Sequence, residues 1–378
     1  MINPRRLQAV ARKEFLHVLR DWRSLFLAIA IPALLIVLFG YALNLDLDNI
    51  PTVVWDQSGT PESRDLLSQF QGSPYFKIVA AHDNYRALQE ALEKGTAMIA
   101  LVIPWDFAEA VRNDKPTALQ VIADGSDATR ARLALGYAGT LGSIFNQSVL
   151  TRRMDFQGRK VQDPPVELKS RAWFNADLRS QNETVPGILV IVIIVIAAML
   201  TSITVAKEWE MGTMEQLIST PVRVPELVFG KVAPYFVIGF VDMVIAVVMG
   251  RYLFGVPFRG NVALLFCTAS IFLAGALFFG LMVSIVFKKQ VLANQTALLA
   301  SYLPTMMLSG FVFDIDNMPR IYHYLTYLVP ARYILEILRA IYLKGVGLEI
   351  LWFNALLLCV YACLMVALCL KRLKLTLE

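Results

Sequence analysis

Few residues of this chain have the type and spacing to do chemistry, and those that do lie beside or inside apolar runs. The stretch Lys207-Glu208-Trp209-Glu210-Met211-Gly212-Thr213-Met214-Glu215-Gln216-Leu217-Ile218-Ser219-Thr220-Pro221 sets three acids between two such runs. Carboxylates gathered this way can recognise a basic partner surface; the alternative is a solvated amphipathic loop. Thr213 is expected to cap a short helix and Pro221 to help stop it. Asp242 lies within an apolar run. An ionisable group there is costly and marks a functional site by default, unless a neighbouring helix pairs with it or the membrane edge is near. Asn294, Gln295 and Thr296 open another run, where they line a seam or hydrogen-bond between helices. Arg332, Glu336 and Arg339 fall at i, i+4 and i+7 on one helix face, the pattern of an ion network, with gating as the functional alternative.

Enzyme signatures are missing from the sequence. It has no GxxxxGK[ST] phosphate loop, no GxSxG or HExxH, and no Rossmann glycine fingerprint. Leu308-Ser309-Gly310 resembles the start of an ATP-cassette signature only by chance, since it lies in an apolar run. Asp124-Gly125-Ser126-Asp127 is a turn sequence before it is a metal loop. Cys267, Cys359, Cys363 and Cys369 all lie in apolar runs, with no disulfide or CxxC metal pattern. His17, His82 and His323 are scattered. No catalytic residue, metal or cofactor is expected, and the chain is read as no enzyme.

The elements that must hold these residues are written in the composition. Of 378 residues, 57% are hydrophobic and 17% charged, with a mean hydropathy of +0.56. A soluble domain carries about a quarter charged residues. The apolar excess sits in runs of about 20 residues, long enough to cross a bilayer core of roughly 30 Å. These are Leu25–Leu43, Val185–Val205, Val232–Phe254, Val262–Phe287, Val291–Phe313 and Ile350–Leu370. The first is too long, and too poorly followed by a cleavage site, for a signal peptide. Pro32 is expected to kink it. Leu7 to Trp22 can present Leu7, Val10, Phe15, Val18, Leu19 and Trp22 on one face, as an interfacial helix does; an ordinary cytosolic helix is the alternative.

The net charge is +5. Because the basic residues flank apolar runs, topology explains them better than nucleic acid does. One set of loops holds Arg5, Arg6, Arg12, Lys13, Arg20, Arg23, Lys207, Arg223, Lys231, Lys288, Lys289, Lys371, Arg372 and Lys374. The other short loops hold fewer, so both termini are expected on the cytoplasmic side and the long insertion outside.

That insertion reads as a small α/β domain. Thr52–Trp55, Phe76–Ala80, Met98–Ile103 and Leu119–Ala123 have strand character. Ser63–Phe70, Asn84–Glu93 and Asp106–Arg112 have helical character between them. A longer helix is expected after Asp127, its N-cap, to about Arg153. Within it Gly136, Gly139 and Gly142 allow either a close backbone approach or local flexibility. Arg152, Arg153, Arg159, Lys160, Pro164 and Pro165 mark a polar linker, and Arg171–Asn175 a return to the membrane surface. The plan is a polytopic α-helical membrane protein of six spans: 1–24 amphipathic helix, 25–43 first span, 44–184 extracytoplasmic α/β domain, 185–378 five further spans with an external segment near 314–344.

The run E-x-G-T-x-E-x-L-x-x-T-P from Glu210 to Pro221, followed by Gly230-Lys231, resembles the ABC-2 type permease family. Leu328-Val329-Pro330-Ala331-Arg332-Tyr333 and Arg339-Ala340 through Lys344-Gly345 look like that family's last external segment. The likeness covers essentially the whole chain, and its large insertion is similar to that of bacterial drug-efflux exporters. The resemblance implies the permease subunit of an ATP-driven exporter in the bacterial inner membrane, moving a drug-like or amphipathic solute outward. It implies two ABC ATP-binding subunits as partners and a second permease, identical or related. Membrane lipid is a further expected partner and nucleic acid is not; the external domain either binds substrate or docks a periplasmic adaptor. It makes Glu208, Glu210, Gly212, Thr213, Glu215, Gln216, Leu217 and Pro221 the ATPase-coupling loop, with Lys13 to Trp22 a second contact and re-entrant helices over 314–344. Asp242, Asn294, Arg332, Glu336 and Arg339 are the candidates for the transport path or gate. The rival reading is a membrane receptor or attachment protein working through its external domain without an ATPase. An ion-coupled transporter would carry several intramembrane acids and internal repeats, which this sequence lacks.

Overall fold

The computed structural model describes residues 3–42, 48–113, 115–156, 174 and 180–373. The chain divides into two compact units, Met1–Asn44 with Ala172–Glu378, and Leu45–Arg171. The linker residues Arg159, Lys160, Pro164 and Pro165 lie outside the described residues, as does the return segment apart from Phe174.

The first unit opens with helix α1 (Pro4–Arg20). Asn3 caps it by accepting the Arg5 N–H at 3.1 Å, and Pro4 fits the first turn, where no N–H is needed. Val10 and Glu14 are buried while Phe15, Leu16 and Leu19 are exposed. Helix α2 (Trp22–Ala42) follows directly, with Pro32 inside it.

The second unit carries a four-stranded sheet. Its elements are β1 (Ile50–Asp56), α3 (Pro61–Gly72), β2 (Phe76–Ala81), α4 (Tyr85–Glu93), β3 (Ile99–Ile103), α5 (Phe107–Arg112), β4 (Gln120–Ala123) and α6 (Ala128–Phe156). The strand order is β2-β1-β3-β4. β1 runs parallel to β2 and β3, and β4 is antiparallel to β3. Alternation along β3 explains the layers. Ile99, Leu101 and Ile103 pack with Leu66, Phe70, Phe107 and Phe145 of α3, α5 and α6. Ala100 and Val102 face the other way, toward Leu88 and Ala91 of α4. With helices on both faces, β3 is buried throughout. Caps set the helix starts: Thr60 and Ser63 form a capping box, Asn84 accepts the Ala87 N–H at 2.7 Å, and Asp127 accepts that of Arg130 at 3.1 Å. A Cβ at Gly136, Gly139 or Gly142 would meet no atom within 4 Å, so these glycines serve no close approach among the described residues.

The first unit resumes with α7 (Gln181–Ser202), α8 (Thr204–Glu210), α9 (Thr213–Ile218), α10 (Val224–Tyr252), α11 (Val262–Phe287), α12 (Gln290–Leu308), α13 (Arg320–Thr326), α14 (Pro330–Arg339) and α15 (Leu348–Arg372). One π turn, Ala340–Lys344, extends α14. α7 is apolar on all sides and buried from Val185 to Ala198, as the central helix of a bundle must be. It meets α11 closely: a Cβ on Gly280 would lie 2.3 Å from the Ala198 carbonyl oxygen. Beside that contact the Thr201 hydroxyl donates to the Leu277 carbonyl at 2.7 Å.

Among the described residues, four helical stretches are long and apolar enough to cross a bilayer: Gln181–Glu210, Val224–Tyr252, Val262–Phe287 and Leu348–Arg372. Within α2 the apolar stretch is Ala28–Ala42. α12 carries Asn294, Gln295, Thr296 and Pro304, and it ends at Leu308 rather than Phe313, ahead of the left-handed Gly310. α10 begins eight residues earlier than its apolar run, because Pro225 and Glu226 start a helix at Val224.

Candidate functional site

The acidic loop folds as two short helices around a glycine. Gly212 separates α8 from α9 with φ +70, a conformation that a side chain would strain. Gly212, not Thr213, occupies the N-cap position of α9. Thr213 instead donates its hydroxyl to the Glu208 carbonyl at 3.4 Å. The fold gives the loop two sides. Glu208 and Met214 are buried, whereas Met211, Gly212, Glu215, Gln216 and Pro221 are exposed and Leu217 is half-buried.

On the buried side, Glu208 Oε1 meets Lys231 Nζ at 2.8 Å and Lys13 Nζ at 3.3 Å. Lys231 also meets Glu14 Oε1 at 3.2 Å, and Lys13 meets it at 3.4 Å. Two ammonium groups and two carboxylates thus neutralise one another across α1, α8 and α10. Lys231 is only 1% exposed, Glu14 6% and Glu208 8%. Buried charges persist only when paired in this way. Burial by itself would raise the Glu14 carboxyl, but Lys231 and Lys13 outweigh it and hold the group below the usual carboxylate range. For Lys13 burial pulls downward, and Glu14 and Glu208 outweigh it, so its ammonium is held above the ordinary value.

Further ties fasten α1 to the start of α10. Glu226 accepts the backbone N–H of Asn3 at 2.8 Å and that of Arg223 at 3.0 Å. The Arg6 guanidinium donates to the Pro221 carbonyl. A Cβ on Gly230 would lie 2.7 Å from Val10 Cγ1, so glycine is what admits α1 this close.

Glu210 belongs to another contact. Its Oε2 accepts the backbone N–H of Gln290 at 3.0 Å and the Gln290 side-chain amide at 3.1 Å. It therefore satisfies an otherwise orphaned donor at the start of α12. Lys288 lies 4.4 Å above the Trp209 ring. At the turn from α7 into α8, Ser284 Oγ accepts the N–H groups of Val205 at 3.0 Å and Ala206 at 2.9 Å.

The other expected site residues are not brought together. Asp242 is 6% exposed, and neither carboxylate oxygen has a hydrogen-bond partner among the described residues. Asn294 Oδ1 accepts the Ser202 hydroxyl at 3.4 Å, joining α12 to α7. The ion network of Arg332, Glu336 and Arg339 does not form. Arg332 stacks 4.2 Å over the Tyr327 ring and donates to Thr326. Arg339 pairs with Glu183 at 2.9 Å, and Glu336 is exposed. Helical spacing put the three on one face, but the start of α7 offers Arg339 a nearer carboxylate.

Glu14, Glu226 and Gln290 were not singled out by sequence, and Lys231 entered only as a basic loop residue and as part of the Gly230-Lys231 pair of the family resemblance. Two signals were present. Glu14 is the one acid within α1, and Lys231 stands inside a helix whose start Pro225 and Glu226 mark. In the sheet unit, a cavity of about 410 Å³ lies between α3, α5 and α6, lined among others by Leu66, Phe107, Val111, Lys115, Phe145 and Asn146.

Apolar helices long enough to span a bilayer, packed round a buried central helix, define an integral membrane protein. Residues 22–371 match the ABC-2 family transporter proteins. The "Probable multidrug ABC transporter permease YbhS" of Escherichia coli (strain K12) is 37% identical over 350 residues, 91% of each chain. The "Probable multidrug ABC transporter permease YbhR" of the same strain is 27% identical over 350 residues, 92% of each chain. The "Inner membrane transport permease YhhJ", again from that strain, is 25% identical over 311 residues, 80% of this chain and 79% of its own length. This chain belongs to the ABC-2 transporter family. It is the permease subunit of an ABC exporter; in ABC transporters in general, ATP is hydrolysed by a partner subunit.

Proposed function

We propose that this permease exports a drug-like or amphipathic solute from the cytoplasm or inner leaflet of a bacterial inner membrane. Two copies of a separate ATP-binding subunit drive it, and a second permease, identical or related, completes the assembly. Six spans cross the membrane in this reading, α2 and α12 joining the four longer helices. Both termini are cytoplasmic, and the sheet unit is external, where it binds solute or docks an adaptor. The segment from 314 to 344 re-enters from outside. Asp242, Asn294, Arg332, Glu336 and Arg339 belong to the transport path or its gate.

The observation that carries the coupling role is the two-sidedness of the Glu208–Pro221 loop. One side is bound to α1, α10 and α12 through ion pairs and caps. The other leaves Met211 63% exposed beside Glu215 and Gln216. An exposed methionine on the same loop as exposed Glu215 and Gln216, with its other side tied to three helices, suits a docking partner. Movement imposed there by an ATPase is delivered to the membrane helices through the tied side.

Affinity purification from the native membrane, with partner identification and an ATPase assay, tests this. A soluble ATPase should co-purify in stoichiometric amount, and Glu215→Lys should release it. Glu215 is the cleaner probe because Glu210→Lys would also remove the α12 cap. A chain that purifies intact without an ATPase would refute the reading and favour a receptor.

A further inference from the structure

We propose that Lys231 is the positioning residue that makes α1, α8 and the start of α10 move as one body, so that a displacement of the loop reaches α1. This deepens the permease reading above and rests on it. Four observations carry it. Lys231 sits on α10 and bonds carboxylates of two other helices, Glu14 of α1 at 3.2 Å and Glu208 of α8 at 2.8 Å. It is 1% exposed, so water cannot replace either bond. Glu208 Oε2 is buried with no partner among the described residues, so the carboxylate depends on what Oε1 binds. Lys13, which meets the same two carboxylates, has a side chain 58% exposed and is the weaker, solvent-screened link. Removing Lys231 would leave two buried acids sharing that one exposed cation. The helices would then part locally while the bundle around α7 and α11 stayed packed.

The experiment is amide hydrogen exchange on the full chain in nanodiscs, alone and with its co-purified ATPase. Lys231→Met should speed exchange at least tenfold in both α1 and α8, with α11 and α15 unchanged. Lys231→Arg, which keeps a buried cation, should stay near wild type. In the complex, adding ATP should alter exchange in α9 and in α1 for the wild type and Lys231→Arg. For Lys231→Met the change should persist in α9 and vanish in α1. Acceleration of every helix would mean a merely structural role and overturn the proposal. So would an ATP response reaching α1 undiminished in Lys231→Met. If no ATPase co-purifies, the permease reading fails by itself. Exchange on the chain alone still decides whether Lys231 joins the two helices.

Discussion

Lys231 and Glu208 meet at 2.8 Å in a position closed to water, although they lie on different helices and the sequence between them holds the whole exposed loop. A buried ion pair of this kind adds little to net stability, yet breaking one half is expensive because the survivor is left charged and unsolvated. Lys231→Met should therefore cost about 3–5 kcal/mol locally. Mutating Lys231, Glu14 and Glu208 together to methionine should cost far less. Thermal unfolding of the two variants in one detergent checks this, and equal losses would contradict it.

The same group of charges sets a pH window. Glu14 is held below its ordinary 4.5, so its contribution is full above that value and disappears as pH falls through the lowered one. Lys13 is held above its ordinary 10.5, so its contribution is full below that value and fades as pH rises through the raised one. Docking of α1 should be flat across neutral pH and loosen in acid. Proteolysis or exchange at α1 against pH would reveal it, and Glu14→Gln should flatten the acid limb.

Gly280→Ala should be the most damaging single methyl in the membrane unit. Its Cβ would stand 2.3 Å from the Ala198 carbonyl oxygen and 2.3 Å from Thr201 Oγ1. Backbone cannot swing aside as a side chain can, so α7 and α11 must separate. Overpacking of this sort costs about 1–3 kcal/mol or more. A lower unfolding temperature is expected, while Gly136→Ala on α6, with open space at its Cβ, should be neutral or stabilising.

Asp242→Leu should leave the fold as stable as the native chain or more so. Both oxygens of the native carboxylate lack partners among the described residues, and an apolar group of similar size removes that unmet demand. Function should move the other way if Asp242 serves transport: solute export falls while thermal stability holds. Loss of folding on this substitution would mean that Asp242 has a structural partner instead.

Topology can be read directly. A cysteine at Ser126 should react with an impermeant maleimide on intact cells, since the sheet unit is external in the reading above. Reaction only after lysis would reverse the orientation.

Much of this was legible in the amino-acid order, because periodicity and caps are local. The short apolar run Met98–Ile103, the cap Asp127 and the longer apolar runs all announce elements whose causes lie within a few residues. The family likeness rests mainly on the contiguous run from Glu210 to Pro221, with Gly230-Lys231 and the segment from Leu328 to Gly345 beside it. The site itself was less legible. Glu208, Glu210 and Glu215 read alike as three acids of one loop, yet the structure gives them different work. Glu208 is buried against Lys231, Glu210 caps α12, and Glu215 faces outward. Arg339 likewise found Glu183 rather than the acid one turn away. The sequence alone determined which segments are apolar and which charges are available. Only the tertiary structure decided which charges meet, because pairing is set by distance between helices far apart in the chain, and burial then makes each pairing obligatory.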